Sequence, residues 1–196
     1  MLGQNLSVGE QEQLTALLSA DRFQLKQIFI NLPTPTVPEV IGEYDAQLLD
    51  QGDRLGSFVI RKVFGSKGPW IGKAFRPLSE TEGEGYNAFG LIDEREPLLP
   101  MSTYIGHSFI VPGESYILDY RRKNRGPIRW LFGELRQVNS TILLGMGTFG
   151  PRSASLRRLR RVIPFVLVCS DRAYLGEQVS VVTHATSTCP TESCCC

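Results

Sequence analysis

His107 is the only histidine between residues 37 and 170, which makes it the natural candidate for acid–base work. An imidazole in that role needs a pKa near the working pH and a neighbouring group to orient it. Tyr104, Asp119 and Glu134 are the side chains that could stand beside it, and a structural or surface histidine is the competing reading. Lys73 and Arg129 suggest a different chemistry, the clamping of a ligand carboxylate. Lys would act as a point charge and Arg through its bidentate fork. The alternative for both is a solvent-facing cation whose stem covers apolar surface. The rings of Tyr44, Trp70, Phe75, Tyr104, Tyr120 and Trp130 could wall a concave apolar site. They could equally be plain core packing.

Other reactive arrangements are missing from the sequence. His107 and His184 lie far apart, and no Cys-x-x-Cys pair is matched by a second, so no metal site is expected. Gly83-Glu84-Gly85 and Gly145-Met146-Gly147 do not precede a helical pattern, which argues against a phosphate cradle. No Ser or Cys occupies a nucleophile elbow. No cofactor is expected.

Charge is unevenly spread. Between residues 121 and 161 eleven Lys and Arg face Glu134 alone, although the whole chain carries a net charge of only +1. Such a region can meet an anionic partner, or it can be neutralised by acidic segments in the fold. No nucleic-acid-binding signature accompanies Arg157-Arg158-Leu159-Arg160-Arg161, so a nucleic-acid partner is not expected. An anionic membrane surface stays open as a partner. The chain closes on Cys194-Cys195-Cys196, where Cys195 and Cys196 could carry lipid. An incidental extension is the alternative. No apolar run approaches the ~20 residues that span a bilayer, and the first residues do not read as a secretory leader. A cytoplasmic protein is expected, with peripheral membrane attachment left open.

Three regions must position these groups. Residues 1–36 read as a helical extension. Ser7-Val8-Gly9-Glu10 forms a capping box ahead of Leu14, Leu17 and Leu18, and Asp21 caps a second helix that Pro33 ends. The pair is expected to lie against the body as a lid or plug, each helix burying an apolar stripe. Residues 37–170 change to a period of two. Strands are predicted over 40–48, 101–111, 115–120, 128–138, 141–149 and 162–169, with weaker signals at the Trp70 segment and over 83–89. Residues 55–64 fit a strand or a short helix. Asn139-Ser140 reads as a tight turn. Consecutive strands joined by short polar turns argue for an antiparallel meander that closes into a small barrel. Residues 171–196 read as a largely disordered tail.

Two motifs resemble a known family. Ile41-Gly42-Glu43-Tyr44-Asp45-Ala46 is similar to the opening signature of the GXWXG-type proteins, with Tyr44 and Ala46 at its Trp and Gly positions. Gly68-Pro69-Trp70-Ile71-Gly72-Lys73-Ala74-Phe75 resembles that family's second signature, and the later strands resemble the barrel half that follows. The likeness covers roughly residues 29–168. It implies a small lipocalin-like antiparallel barrel and carries no established activity. A barrel of about eight strands has an interior able to hold side chains or one small molecule. The expected function is therefore binding of a small hydrophobic ligand: a lipid, isoprenoid, pigment or polyketide. Two alternatives remain, a cofactor-independent cyclase or isomerase using His107 or a Tyr, and a lipid-anchored protein of the membrane surface.

Overall fold

The computed structural model describes residues 2–3, 5–50, 68–91, 94–150 and 162–175. Two helices come first, α1 (Val8–Ser19) and α2 (Arg22–Asn31). Both begin with reciprocal capping boxes, Ser7 with Glu10 and Asp21 with Gln24. Each box satisfies donors that a helix start leaves without a partner. Pro33 cannot continue α2, and the chain leaves the helix without regular structure and makes a turn over 37–39 before the first strand.

Eight strands follow: β1 (Gly42–Leu48), β2 (Trp70–Pro77), β3 (Glu82–Leu91), β4 (Glu94–His107), β5 (Glu114–Asp119), β6 (Leu131–Gln137), β7 (Ile142–Phe149) and β8 (Ile163–Cys169). Each pairs antiparallel with the next, and β8 returns to β1, so the sheet closes into a barrel without free edges. The fold is mainly β, a closed eight-stranded antiparallel barrel with two helices, consistent with a small lipocalin-like barrel.

Alternation along the strands builds two separate cores. One fills the lumen with Tyr44, Phe75, Phe89, Met101, Tyr116, Leu118, Leu135, Phe165 and Leu167. The other lies outside, where Leu14, Leu17, Leu25 and Phe29 of the helices cover Ile142, Leu144, Met146, Val166 and Val168 of β7 and β8. The helical pair is thus a cladding on the outer wall, and the expected lid or plug has to be corrected. Part of the stopper is the connector after α2, whose Val37 and Val40 belong to the lumen core. Arg136 fastens α2 to the wall. Its guanidinium donates to the carbonyls of Phe29, Ile30 and Leu32 at the helix end and to Glu114 O at 2.8 Å. Phe29 O also accepts from the Leu32 amide, whereas the carbonyls that follow it lie past the last intrahelical donors, and a cation there also meets the negative end of the helix dipole.

Several predicted bounds shift. The weak signal over 83–89 becomes a ten-residue strand. Glycine-rich sequence lowers strand propensity, but here it lets neighbouring backbones approach. Residues 126–130 form a 3-10 turn ahead of β6, because Gly126 takes φ +63° and Pro127 restricts the next step. Residues 55–64 lie outside the described residues, as do Arg152, Arg157, Arg158, Arg160, Arg161, His184 and the cysteines of the 171–196 tail.

Candidate ligand-binding site

The lumen is solid at one end and keeps a small void toward the other. Near the connector, the rings of Tyr44, Phe75 and Tyr116 pack edge to face, with centroids 5.6 Å and 6.0 Å apart along the series. Tyr116 satisfies its hydroxyl by donating to Thr103 Oγ1 at 2.9 Å. Toward the opposite end, where β1 ends and β2 begins, a cavity of about 50 Å³ remains. Leu48, Trp70, Lys73, Asn87, Leu118, Tyr120, Leu131, Ile163 and Phe165 line it, with Gly133 and Gly147.

A β-bulge explains how Trp70 and Lys73 share this wall. Strict alternation would send residues three apart to opposite faces. On β2, however, Trp70 pairs with Phe89 and Gly72 with Ala88, so one extra residue is taken up between them. The extra residue resets the phase, and both side chains turn inward. Gly72 is required there: a Cβ would sit 2.5 Å from the carbonyl oxygen of Tyr44. Gly145 serves the facing wall, since a Cβ on it would overlap the ring of Phe165 at 2.1 Å.

Lys73 pairs in register with Asn87 of β3, and the two side chains meet on the inner face. Its Nζ donates to Asn87 Oδ1 at 2.5 Å and to the Tyr120 hydroxyl at 2.7 Å. Asn87 Nδ2 donates in turn to the Tyr120 hydroxyl at 3.0 Å and to Leu99 O at 3.3 Å. Leu99 takes a left-handed φ of 53°, at a second irregularity where β3 and β4 change register. Such a conformation costs a branched residue about 1–2 kcal/mol and places strain beside the polar cluster.

Electrostatically this lysine is alone. The residue is 5% exposed, and among the described residues no carboxylate lies within ion-pair distance. Burial pushes its pKa down to about 7. The faces of Trp70, Tyr120 and Phe165 stand 5.2 Å, 5.4 Å and 5.4 Å from Nζ and give partial compensation to the charged form. Burial raises Tyr120, so its phenol keeps its proton throughout the physiological range. One further donor is left over: Trp70 Nε1 is buried with no hydrogen-bond partner among the described residues.

The carboxylates of this region are spent on the outer surface. Glu43 is fully buried there, accepting from Tyr86 at 2.6 Å and from Arg95 and Arg172 at 3.2 Å each. Asp45 accepts from the same two arginines. Glu134 accepts from Ser108 and from the Phe109 amide, and burial still raises its pKa.

Of the residues singled out by sequence, the structure brings Trp70, Lys73 and Tyr120 together at the cavity. Tyr44 and Phe75 are inside the barrel but belong to its solid end. Tyr104 does not enter the lumen; it borders a polar depression on the outer wall with Asp119 and Arg121. Its neighbours Thr103 and Ile105 take the inward positions. Arg129 is exposed and Trp130 is 50% exposed, because both sit on the 3-10 turn that precedes β6. His107 is exposed at the last position of β4, at the opposite barrel end from the cavity, with no side-chain partner among the described residues. That position gives it neither the enclosure nor the orienting group that base catalysis needs. Part of the basic stretch is neutralised internally: Arg121 pairs with Asp119, Lys123 with Glu84, and Arg136 is buried.

Asn87, Leu118, Phe165 and Ile163 were not singled out as site residues. Asn87 carried the one usable signal, a polar amide inside an otherwise apolar alternation. The glycine content of 83–89 leaves the register open, so the sequence alone does not turn that amide inward.

No protein-family model matches the sequence, and none of the curated proteins compared with it matches. Among solved structures, the chain is similar to the crystal structure of a protein from Thermomonospora curvata. The TM-score is 0.54 at 17% identity, with 83% of this chain and 98% of that chain covered. The likeness shows the fold alone. No helix among the described residues is long and apolar enough to cross a membrane.

Proposed function

We propose that the protein binds a compact apolar molecule bearing an anionic group, with Lys73 as the anchor. The observation that carries this reading is a buried lysine amine without a counter-charge in the wall of an apolar cavity. Burying a cation alone is strongly unfavourable. A ligand carboxylate would supply the missing charge, and the spare Trp70 N–H is a second donor in the same wall. The hydrocarbon part would rest on Leu48, Leu118, Leu131 and Phe165. At about 50 Å³ the space suits a ligand of roughly four to six non-hydrogen atoms. Sites for drug-sized molecules are about 300–1,000 Å³. The cavity therefore favours a short-chain acid over an extended lipid, isoprenoid, pigment or polyketide.

Calorimetric titration with butyrate tests the reading. Butyrate binds the native chain, and Lys73→Met weakens binding at least ~30-fold, the loss expected for a charge-assisted contact of about 2 kcal/mol. Equal binding by both proteins, or none by the native chain at millimolar butyrate, would refute it.

A further inference from the structure

We propose that Lys73 is also an imine-forming amine: a compact apolar aldehyde or ketone entering the cavity condenses with Nζ, and the Tyr120 hydroxyl serves the departing oxygen. The inference rests on the same cavity as the binding function proposed above, but asks more of it.

Three features carry it. First, the hydrogen bonds of Nζ suit a neutral amine. Such an amine has two N–H bonds and one lone pair, and Asn87 Oδ1 and Tyr120 Oη are its two acceptors, at 2.5 Å and 2.7 Å. With both N–H bonds engaged, the lone pair is directed away from these acceptors. Among the described residues no carboxylate holds the group as an ammonium. Burial adds to this by drawing the amine down to about 7, so near neutral pH about half of it is unprotonated. An exposed lysine offers only about four parts in ten thousand.

Second, the Tyr120 O–H has only a distant acceptor. Its oxygen accepts from Lys73 and Asn87, while the acceptor offered to its own proton, Asn87 Oδ1, stands 3.4 Å away. A ligand oxygen would be the better partner. Third, the wall is apolar apart from this cluster, so it offers few polar groups to hold the water that would return the imine to the carbonyl.

The step balances without an oxidant or reductant. The lone pair of Nζ bonds to the carbonyl carbon, and one N–H proton moves to the former carbonyl oxygen, giving a carbinolamine. As the C–O bond breaks, Tyr120 gives its proton to the departing hydroxyl and takes the remaining N–H proton. Water leaves, a C=N bond remains, and the phenol is restored. It never passes through a free phenolate, in keeping with its raised pKa.

The test exposes the full chain to butanal and sodium cyanoborohydride at neutral pH, with and without butyrate, and maps the alkylated peptides. Lys26, Lys62, Lys67 and Lys123 serve as internal standards. The expected result is labelling of Lys73 at least ~10-fold faster than any of these, slowed by butyrate. Tyr120→Phe should leave Lys73 the preferred target while slowing its labelling about 10-fold or more. Butyrate binding without preferential labelling of Lys73 would overturn the imine and leave the anion-binding reading standing. Preferential labelling that butyrate neither slows nor competes with would support the imine and remove the anion. Neither binding nor preference would remove both. Unchanged labelling in Tyr120→Phe would remove Tyr120 from the step. Because the site is mapped on the native chain, no result depends on a Lys73 variant folding.

Discussion

At Lys73 the fold keeps a side chain that stability alone would replace. A methionine would fill much the same space, make the same contacts with Trp70 and Phe165, and need no partner. The cost of keeping the amine depends on pH, because folding lowers its pKa from an ordinary lysine value to about 7. Below pH 7 the amine is charged in both states, and the native state carries the full penalty. Between pH 7 and about 10.5 the unfolded chain binds the proton and the native chain does not, so native stability rises with pH. Lys73→Met should therefore be more stable than the native chain at pH 6.5. That advantage should shrink by about 1.4 kcal/mol per pH unit from pH 7 to 10. Urea unfolding of both proteins across that range measures it, and a constant difference would mean that the amine titrates as an exposed lysine.

At the scale of elements, irregularities rather than regular strands compose the site. Gly72 permits the bulge that turns Trp70 and Lys73 to one face, and its missing Cβ leaves room for the Tyr44 carbonyl. Backbone cannot yield there, so Gly72→Ala should destabilise the protein by about 2–3 kcal/mol, seen as a lower urea midpoint with an unchanged slope. A loss below ~0.5 kcal/mol would show that the bulge tolerates a side chain. Arg136 is the comparable device for α2. Arg136→Leu strips partners from three helix carbonyls and should speed amide exchange in α2 selectively, with the strands retaining their protection. Equal acceleration everywhere would show that α2 and barrel open together.

The sequence was legible where its pattern is regular. Both capping boxes rest on short local spacings, and the meander from β4 to β8 rests on period two and turn residues such as Asn139-Ser140. Glycine was harder to read. In β3 it suggested weak structure, yet it marks close packing between strands, and the register it hid kept Asn87 out of view. Tyr104 was misplaced by one step of alternation, an error that sends a side chain through the sheet. Trp130 and Arg129 were misplaced because a 3-10 turn imitates a strand start when apolar residues follow directly. Lys73 could be found by sequence as a candidate anchor. Its isolation could not, because that depends on Glu43 and Asp45 facing outward to Arg95 and Arg172.

For the whole molecule, barrel closure, external cladding and a lumen filled except for one small void act together. Helices that lie outside leave the lumen free of them, and the aromatic stack at the connector end lets the other end keep a void without losing the core. The central claim is that this void is a ligand site built around an uncompensated amine. Heteronuclear NMR of the Lys73 side-chain nitrogen, titrated with pH with and without butyrate, addresses it most directly. The account predicts a midpoint near 7 for the free protein, raised by roughly one unit or more when butyrate is bound, because an opposite charge favours the ammonium. A midpoint near the ordinary lysine value of about 10.4, unmoved by butyrate, would contradict it.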